Sequence, residues 1–525
     1  MISLEQYMIS KRKESIKFVL SLIIAIIVLG YFVDADIIIF VEGIPDMLEL
    51  LLKMFHPKFD DNMTLISALG ETIEMSVLGS VIGLVFSLPF IFITSENIAP
   101  FKYLSSLLNK FFAVIRTIPS LIWAAVLVSI FSVGKFSGTI SLTIISFLIS
   151  QKLLRERVEE INENELNSIR AVGGTRVQIM QYSVFPNLVK HIISVLFLVL
   201  ESNMRSATIL GFVGAGGIGQ LMWTKLNHLK YDSLSTIIFI LFFMIFIIDF
   251  ISVSMRKDIK IKNIQISSAR TFKVIKLLKK IFLFLVVCIS LKIINEYFSI
   301  SLERFYQGIL QGKNIFARML HPNFSYFPKM INGIFESLYI ALFATIISSL
   351  LSLFLTYFTA YNSSPSKFVS IIFKILANIM RTFPPMIVAI IFFRGLGPGK
   401  FSGAMALIVY SIGNILKMYS EIVENVNSNI EDSIRATGAS KANVYYYGLV
   451  KETYPSFIGI VLYRLESNIR NSTILGIIGA GGIGTLLNMN IIWRKWENVG
   501  MMILAIAFMI GTIDTLSRKI RMKIK

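Results

Sequence analysis

Short strings of this sequence return, unchanged or nearly so, 265 residues further on. His56-Pro57 recurs as His321-Pro322, Arg116-Thr117-Ile118-Pro119 as Arg381-Thr382-Phe383-Pro384, and Gly134-Lys135-Phe136-Ser137-Gly138 as Gly399-Lys400-Phe401-Ser402-Gly403. The same offset carries Ser168-Ile169-Arg170-Ala171-Val172-Gly173 onto Ser433-Ile434-Arg435-Ala436-Thr437-Gly438. It also carries Glu201-Ser202-Asn203 onto Glu466-Ser467-Asn468, and Asp249 onto Asp514. One offset held without a gap over some two hundred residues marks a whole unit duplicated in tandem.

What each copy folds into follows from its apolar runs. The chain is 55% hydrophobic and 16% charged, with a mean hydropathy of +0.71, and stretches such as Ile237 to Ile248 are apolar on every side. A large soluble protein needs polar faces on its helices, so this composition belongs to a membrane. Crossing a hydrocarbon core of about 30 Å takes about 20 residues of helix. The first copy supports six such spans, near residues 17–33, 66–94, 103–132, 138–151, 190–212 and 233–254. The second repeats them near 280–298, 331–359, 368–394, 403–417, 454–477 and 499–514. The expected fold is all-α, with about 12 transmembrane helices in two parallel six-helix units, residues 1–265 and 266–525.

Charge gives the orientation. Arg256 to Lys280 holds nine Lys/Arg against Asp258 alone, and Arg518 to Lys525 holds five Lys/Arg and no acid. Asp34 to Asn62, by contrast, carries seven acids and two lysines. Positive charge is retained on the cytoplasmic side, which places both termini and the linker inside and the acidic loop outside. That placement accounts for the net charge of +19 without nucleic acid. Lys11, Arg12 and Lys13 before the run Phe18 to Val33 resemble a signal peptide, but no small-residue cleavage pattern follows, so a retained first helix is expected. A single cysteine, Cys288, and four histidines leave no basis for a disulfide framework, a metal site or any cofactor.

The longest polar stretches inside each copy, 152–189 and 418–453, fall on the cytoplasmic side. They are charged, compatible with helix and interrupted by Gly173 or Gly438, so each reads either as a solvated loop or as a helix-turn-helix knob for a partner. Ser168-Ile169-Arg170-Ala171-Val172-Gly173 followed by Pro186 resembles the EAA loop of binding-protein-dependent ABC importers. Glu201 to Gly211 with Gly214 to Gly219, matched by Glu466 to Gly476 with Gly479 to Gly484, resembles in particular the phosphonate-type permeases of that superfamily. The resemblance implies two type I ABC importer permease units fused in one chain, sitting in the lipid of the cell membrane. It implies two cytoplasmic ATP-binding subunits and an extracytoplasmic solute-binding protein or lipoprotein as partners. The cargo would be a phosphonate or phosphate ester, with amino acids and osmoprotectants as the alternative for permeases with such loops. It places coupling to the ATPases at Asn167, Ser168, Arg170, Ala171 and Gly173, and at Asp432, Ser433, Arg435, Ala436 and Gly438. The family's common Glu is Asn167 or Asp432 here, and Lys451 stands where the first copy has Pro186, so the two knobs are not equivalent.

Two motifs point to nucleotides and fail on context. Gly214, Gly216 and Gly219 satisfy G-x-G-x-x-G, but that fingerprint works between a strand and a helix. Here Gly214, Gly216, Gly217 and Gly219, with Gly479, Gly481, Gly482 and Gly484, are expected to form tight turns on the outer side that let helices approach closely. Gly134-Lys135 and Gly399-Lys400 lack the leading glycine and the following Ser/Thr of a P-loop, so ATP hydrolysis is expected on a separate subunit, and this chain is not itself an enzyme.

Charges inside spans are the candidates for the translocation path. Glu201 with Arg205, and Glu466 with Arg470, stand four apart and can pair along one helix face, as a brace or as a lining with Asn203 and Asn468. Arg116 and Arg381 each precede a proline. Placed deep in a continuous third span, they suit either an oxyanion in the path or acids from other helices.

Overall fold

A computed structural model describes residues 4–54, 62–261 and 302–524. His56-Pro57, Cys288, the span expected at 280–298 and the linker beyond residue 261 lie outside the described residues. Among the described residues every regular element is a helix. In chain order these are α1 (Leu4–Phe32), α2 (Ile37–Met54), α3 (Asn62–Thr94), α4 (Lys102–Thr117), α5 (Ser120–Phe131), α6 (Lys135–Glu159), α7 (Glu163–Ala171) and α8 (Arg176–Ile179). There follow α9 (Phe185–Leu210), α10 (Gly217–Asn227), α11 (Tyr231–Ile261), α12 (Leu302–Met319), α13 (Phe327–Thr359), α14 (Lys367–Thr382), α15 (Pro385–Leu396) and α16 (Lys400–Glu424). The last are α17 (Ser428–Arg435), α18 (Lys441–Asn443), α19 (Lys451–Ile477), α20 (Ile483–Ile492) and α21 (Trp496–Ile524). Each helix from α2 to α6 has its counterpart at an offset of 265, with identical bounds.

Seven of these helices are long and apolar enough to cross a membrane, and up to ten spans result when each of three bent pairs counts as one. Helix α19, the span expected at 454–477, is not among them, because Arg464, Glu466 and Arg470 interrupt its apolar run. The third expected span of each copy is one of those pairs rather than a continuous helix. Between α4 and α5 the axis turns by 86°, and between α14 and α15 by 90°. Proline is the cause. Pro119 and Pro384 carry no N–H and crowd the preceding residue out of the helical region, so Ile118 sits at φ −73°, ψ 120° and Phe383 at φ −73°, ψ 123°.

The chain divides into two compact units, Met1–Phe55 with His321–Lys525, and His56–Leu320. The boundary expected near 265 separates the sequence copies but not these units, because α2 and α12 are exchanged between copies. In the first unit α2 crosses α15 backbone to backbone. A Cβ on Gly43 would lie 2.4 Å from the Gly395 carbonyl oxygen, and one on Gly395 would lie 2.4 Å from that of Gly43. Arg394 pairs with Glu49 at 3.5 Å, Lys400 with Asp34 at 2.9 Å, and Phe32 of α1 stacks on Tyr339 of α13 at 4.5 Å. In the second unit α12 lies on α5, with Gly308 against the Phe131 ring and Gln311 donating to the Ser129 carbonyl at 3.1 Å. Glycine at 43 and bulk at 131 are not marks that apolar periodicity carries, so the exchange was not readable from the spans.

Within the His56–Leu320 unit, α3, α6 and α9 pack around one line of small and hydroxyl residues. Lipid tails are as apolar as leucine, so helices in a bilayer gain from close van der Waals contact rather than from leaving water. Gly79 and Gly83 supply it: a Cβ on Gly83 would meet the Ser146 Cβ at 2.4 Å and the Thr143 carbonyl at 2.6 Å. The other unit places Ala344 and Ser348 at the matching positions, both fully buried. Hydroxyls are affordable here because each bonds its own helix, as Ser76 does to the Thr72 carbonyl at 2.7 Å and Ser80 to the Ser76 carbonyl at 2.6 Å.

Gly83→Leu should therefore overpack the α3–α6 contact and destabilise the protein by about 1–3 kcal/mol. The measurement is thermal unfolding of the detergent-solubilised chain against Gly70→Ala, whose new Cβ meets nothing within 4 Å and, being an alanine inside a helix, should leave the midpoint unchanged or raise it.

Candidate functional site

The knob expected at 152–189 forms as two helices around a glycine turn. The Asn162 side chain accepts from the Asn164 N–H at 3.0 Å and starts α7, whose first turn carries Glu163 and Glu165 where a helix favours negative charge. Gly173 at φ +78° ends it, its N–H donating to the Arg170 carbonyl at 3.0 Å, and Thr175 with Gln178 forms a capping box that opens α8. A π turn, Met180–Val184, then leads into α9. Leu166, Ile179, Val184 and Leu188 are buried in the same apolar cluster as Ile91 of α3, Leu154 of α6 and Val195 of α9. The knob thus shares a core with three spans. Asn167, Ser168, Arg170, Ala171 and Gly173 are all exposed, and beside them Val172 is 83% exposed. Arg170 also donates to the Asn97 carbonyl and to Asn167 Oδ1, both at 2.9 Å, which ties the knob to the loop after α3.

The second knob keeps the outline and changes the anchoring. Asn427 caps α17, Gly438 at φ +77° ends it, and a π turn, Val444–Val450, leads into α19. Asp432, Ser433, Arg435, Ala436 and Gly438 are exposed. Where the first knob buries Leu166, the second has Glu431, which pairs with Arg435. It too shares an apolar cluster with the spans, through Tyr445 and Leu449 against Ile415 and Tyr419 of α16 and Phe457 of α19, and the Tyr445 hydroxyl, its pKa raised by burial, donates to the Leu353 carbonyl at 2.6 Å. Lys441 adds bonds to the Ser364 and Pro365 carbonyls at 3.3 and 3.2 Å.

The intramembrane polar residues sort into ties and charges. Asn203 is fully buried and donates to Ser80 at 2.8 Å and Ser146 at 2.7 Å, joining α9 to α3 and α6. Asn468 is equally buried, donating to Thr345 at 2.9 Å and accepting from Ser411 at 2.9 Å. These two amides, expected in a path lining, bolt three helices together in this conformation. Their partners recur at the same offset of 265, a signal present in the sequence. Arg205 bridges Glu201 at 2.6 Å and Asp249 of α11 at 3.6 Å, which is the brace. The expected Glu466–Arg470 pair does not form, because Arg521 of α21 reaches Glu466 at 3.1 Å while Asp514 takes Arg518 at 2.8 Å. Arg116 and Arg381 end α4 and α14, half-buried at the two sharp bends and not inside continuous spans. One residue escaped the sequence reading altogether. Arg464, at the middle of α19, is only 5% exposed.

The glycine turns close on themselves. Gly214, Gly216 and Gly217 take positive φ, and the first N–H groups of α10 are already filled, Gly217 donating to Glu71 at 3.0 Å and Ile218 to Thr72 at 2.8 Å. The other unit repeats this with Gly482 donating to Glu336 at 3.0 Å and Ile483 to Ser337 at 3.0 Å. Gly479 and Gly481 share the positive φ, and Gly219 and Gly484 lie against the Thr208 and Thr473 carbonyls. A carboxylate from α3 or α13 occupies the helix N-terminus where a dinucleotide's phosphate would sit.

Two knobs on two duplicated helical cores define a membrane transport component. The chain belongs to the family of binding-protein-dependent transport system inner membrane components, whose profile matches residues 79–261 and again 352–518. It is an all-α, multi-pass membrane protein, the permease part of a transport system that also requires an ATPase and a substrate-binding protein. Among curated proteins it is 26% identical over 504 residues to the phosphate-import permease protein PhnE of Mycolicibacterium smegmatis, covering 95% of this chain and 93% of that one. The phosphite transport system permease protein PtxC of Stutzerimonas stutzeri is 30% identical over 219 residues, 42% of this chain and 80% of its own. Among solved structures, an inward-facing MetNI methionine ABC transporter aligns with 38% of this chain and 99% of its own, at 20% identity and a TM-score of 0.35.

Removing the carboxylate that caps α10, in Glu71→Ala, should cost about 1 kcal/mol, seen as a lower unfolding midpoint. Glu71→Gln, which keeps one acceptor, should recover part of the loss.

Proposed function

We propose that this chain supplies both membrane halves of an ATP-driven importer for a small phosphorus oxyanion, a phosphonate or phosphate ester. Both termini lie in the cytoplasm, and a solute-binding protein or lipoprotein delivers the cargo from the other side. Two ATP-binding subunits engage the two knobs at 152–189 and 418–453, one at each, through Asn167, Ser168, Arg170, Ala171 and Gly173 and their counterparts. The observation that carries this reading is the pair of knobs with exposed tips, the first of which shares one apolar core with α3, α6 and α9. The cargo class rests on a relative named for phosphate import that aligns along 95% of this chain, and on a second named for phosphite. Arg116 and Arg381, at the two bends, are proposed to meet the anion, since a guanidinium offers paired donors to tetrahedral oxygens.

The deciding experiment reconstitutes the chain with its ATPase and binding protein in proteoliposomes and follows uptake of methylphosphonate, a phosphate ester, phosphate and phosphite. ATP-dependent uptake of at least one is expected, and uptake of an amino acid or osmoprotectant alone overturns the cargo. For the knobs, Val172→Asp places a charge on a side chain that is 83% exposed. It should lower co-purification of the ATPase and reduce uptake at least tenfold, with an unchanged unfolding midpoint. Equal co-purification would remove the first knob from the ATPase interface.

A further inference from the structure

The duplication provides an internal control for every buried residue, and Arg464 fails to match its own. Its counterpart at the offset of 265 is Val199, fully buried in the apolar cluster of the other unit. Ser411 has Ser146 as its counterpart, and Asn468 has Asn203, while Tyr410 beside the arginine stands where the other copy has Ile145. The fold therefore closes with an aliphatic residue at this place, and nothing in the packing of three helices calls for a cation.

Arg464 stands midway along the 27 residues of α19, about 20 Å from either end at 1.5 Å per residue. Its Nε donates to Ser411 at 3.0 Å, and Ser411 passes its own proton to Asn468 Oδ1 at 2.9 Å. The guanidinium carbon lies 4.6 Å from the centre of the Tyr410 ring, a face that attracts cations. Beyond these contacts it has no carboxylate within ion-pairing reach among the described residues, and its Nη2 is buried with no hydrogen-bond partner. A buried charge without a counter-charge is costly, and one kept inside a membrane helix bundle marks a substrate or ion pathway where no partner neutralises it. One side of the guanidinium is thus fixed by Ser411 and Tyr410, and the other keeps its donors unused.

We propose that Arg464 is an oxyanion-binding residue of the transport path, present in the second copy alone, whose Nη2 arm takes one oxygen of the cargo. The proposal rests on the phosphorus-oxyanion reading given above and adds to it a residue and a side. The site is shut in this structure, so the anion reaches Nη2 only as α19 and α16 part during the transport cycle. At this depth recognition then lies in the second copy alone, with the apolar Val199 at the matching place of the first.

The test uses the complete transporter in proteoliposomes with its binding protein, and measures uptake of phosphate, phosphite and methylphosphonate. Arg464→Val installs the residue that the other copy already packs, and Arg464→Lys keeps the charge but not the two-armed geometry. The valine variant is expected to lose at least tenfold in uptake of every oxyanion the native chain carries, with an unfolding midpoint equal to or above the native one. The lysine variant should keep part of the uptake at a raised KM. Native uptake by Arg464→Val takes the residue off the path, and a loss of uptake accompanied by a lowered midpoint assigns it a structural role instead. If the native transporter takes up none of the three and no phosphate ester either, the substrate reading fails first, and the ligand class assigned to Arg464 fails with it.

Discussion

Inside a bilayer no water is at hand to satisfy a stray polar group, and no hydrophobic force drives one helix onto another. Both demands meet where α3, α6 and α9 touch. Gly79 and Gly83 let α3 and α6 come into backbone-distance contact, and the hydroxyls of Ser80 and Ser146 exposed by that approach are spanned by the Asn203 amide. Replace glycine by a larger residue and the hydroxyls separate; remove the amide and the close contact loses its polar tie. The same junction in the other unit, with Thr345, Ser411 and Asn468, uses different small residues to the same end. From this junction the rest of the unit is positioned, because the knob's buried residues Leu166, Ile179 and Val184 belong to the apolar cluster continuous with it.

Much of this was legible in the residues themselves. The offset of 265 required two like halves, and the glycine that interrupts each polar loop required a turn between two short helices. The bends after Arg116 and Arg381 were less visible, since an apolar run reads as one span whether or not a proline divides it. The effect of Pro119 on Ile118 turns the axis by 86°. The exchange of α2 and α12 could not be read at all, because the contact between Gly43 and Gly395 joins residues far apart in sequence and leaves no periodic mark. Asn203 and Asn468 were placed in the path because polar residues in spans are expensive. Their hydroxyl partners sit at the matching offset, and reading those positions together would have identified a tie.

The positions where the copies differ carry information of their own. Matching strings mark the repeat, and a difference such as Arg464 against Val199 leaves no such mark. The knobs diverge in the same way. Leu166 anchors the first through apolar burial, whereas Glu431 at the corresponding place is held by Arg435, and the second knob leans on Tyr445 and Lys441.

Such divergence needs a fused chain. Where two identical subunits make the membrane part, any residue placed at 464 appears a second time in the partner, and two buried unpaired cations double a penalty of several kcal/mol each. Fusion removes that coupling: Val199 can stay in a dry apolar cluster while Arg464 keeps its charge over Tyr410. The exchanged helices work in the opposite sense. With α2 of the first copy seated on α15 of the second, neither copy completes its own fold by itself, so the halves are free to differ in chemistry only while remaining bound in structure. Difference at mid-span and mutual dependence at the periphery are two consequences of writing both halves in one sequence.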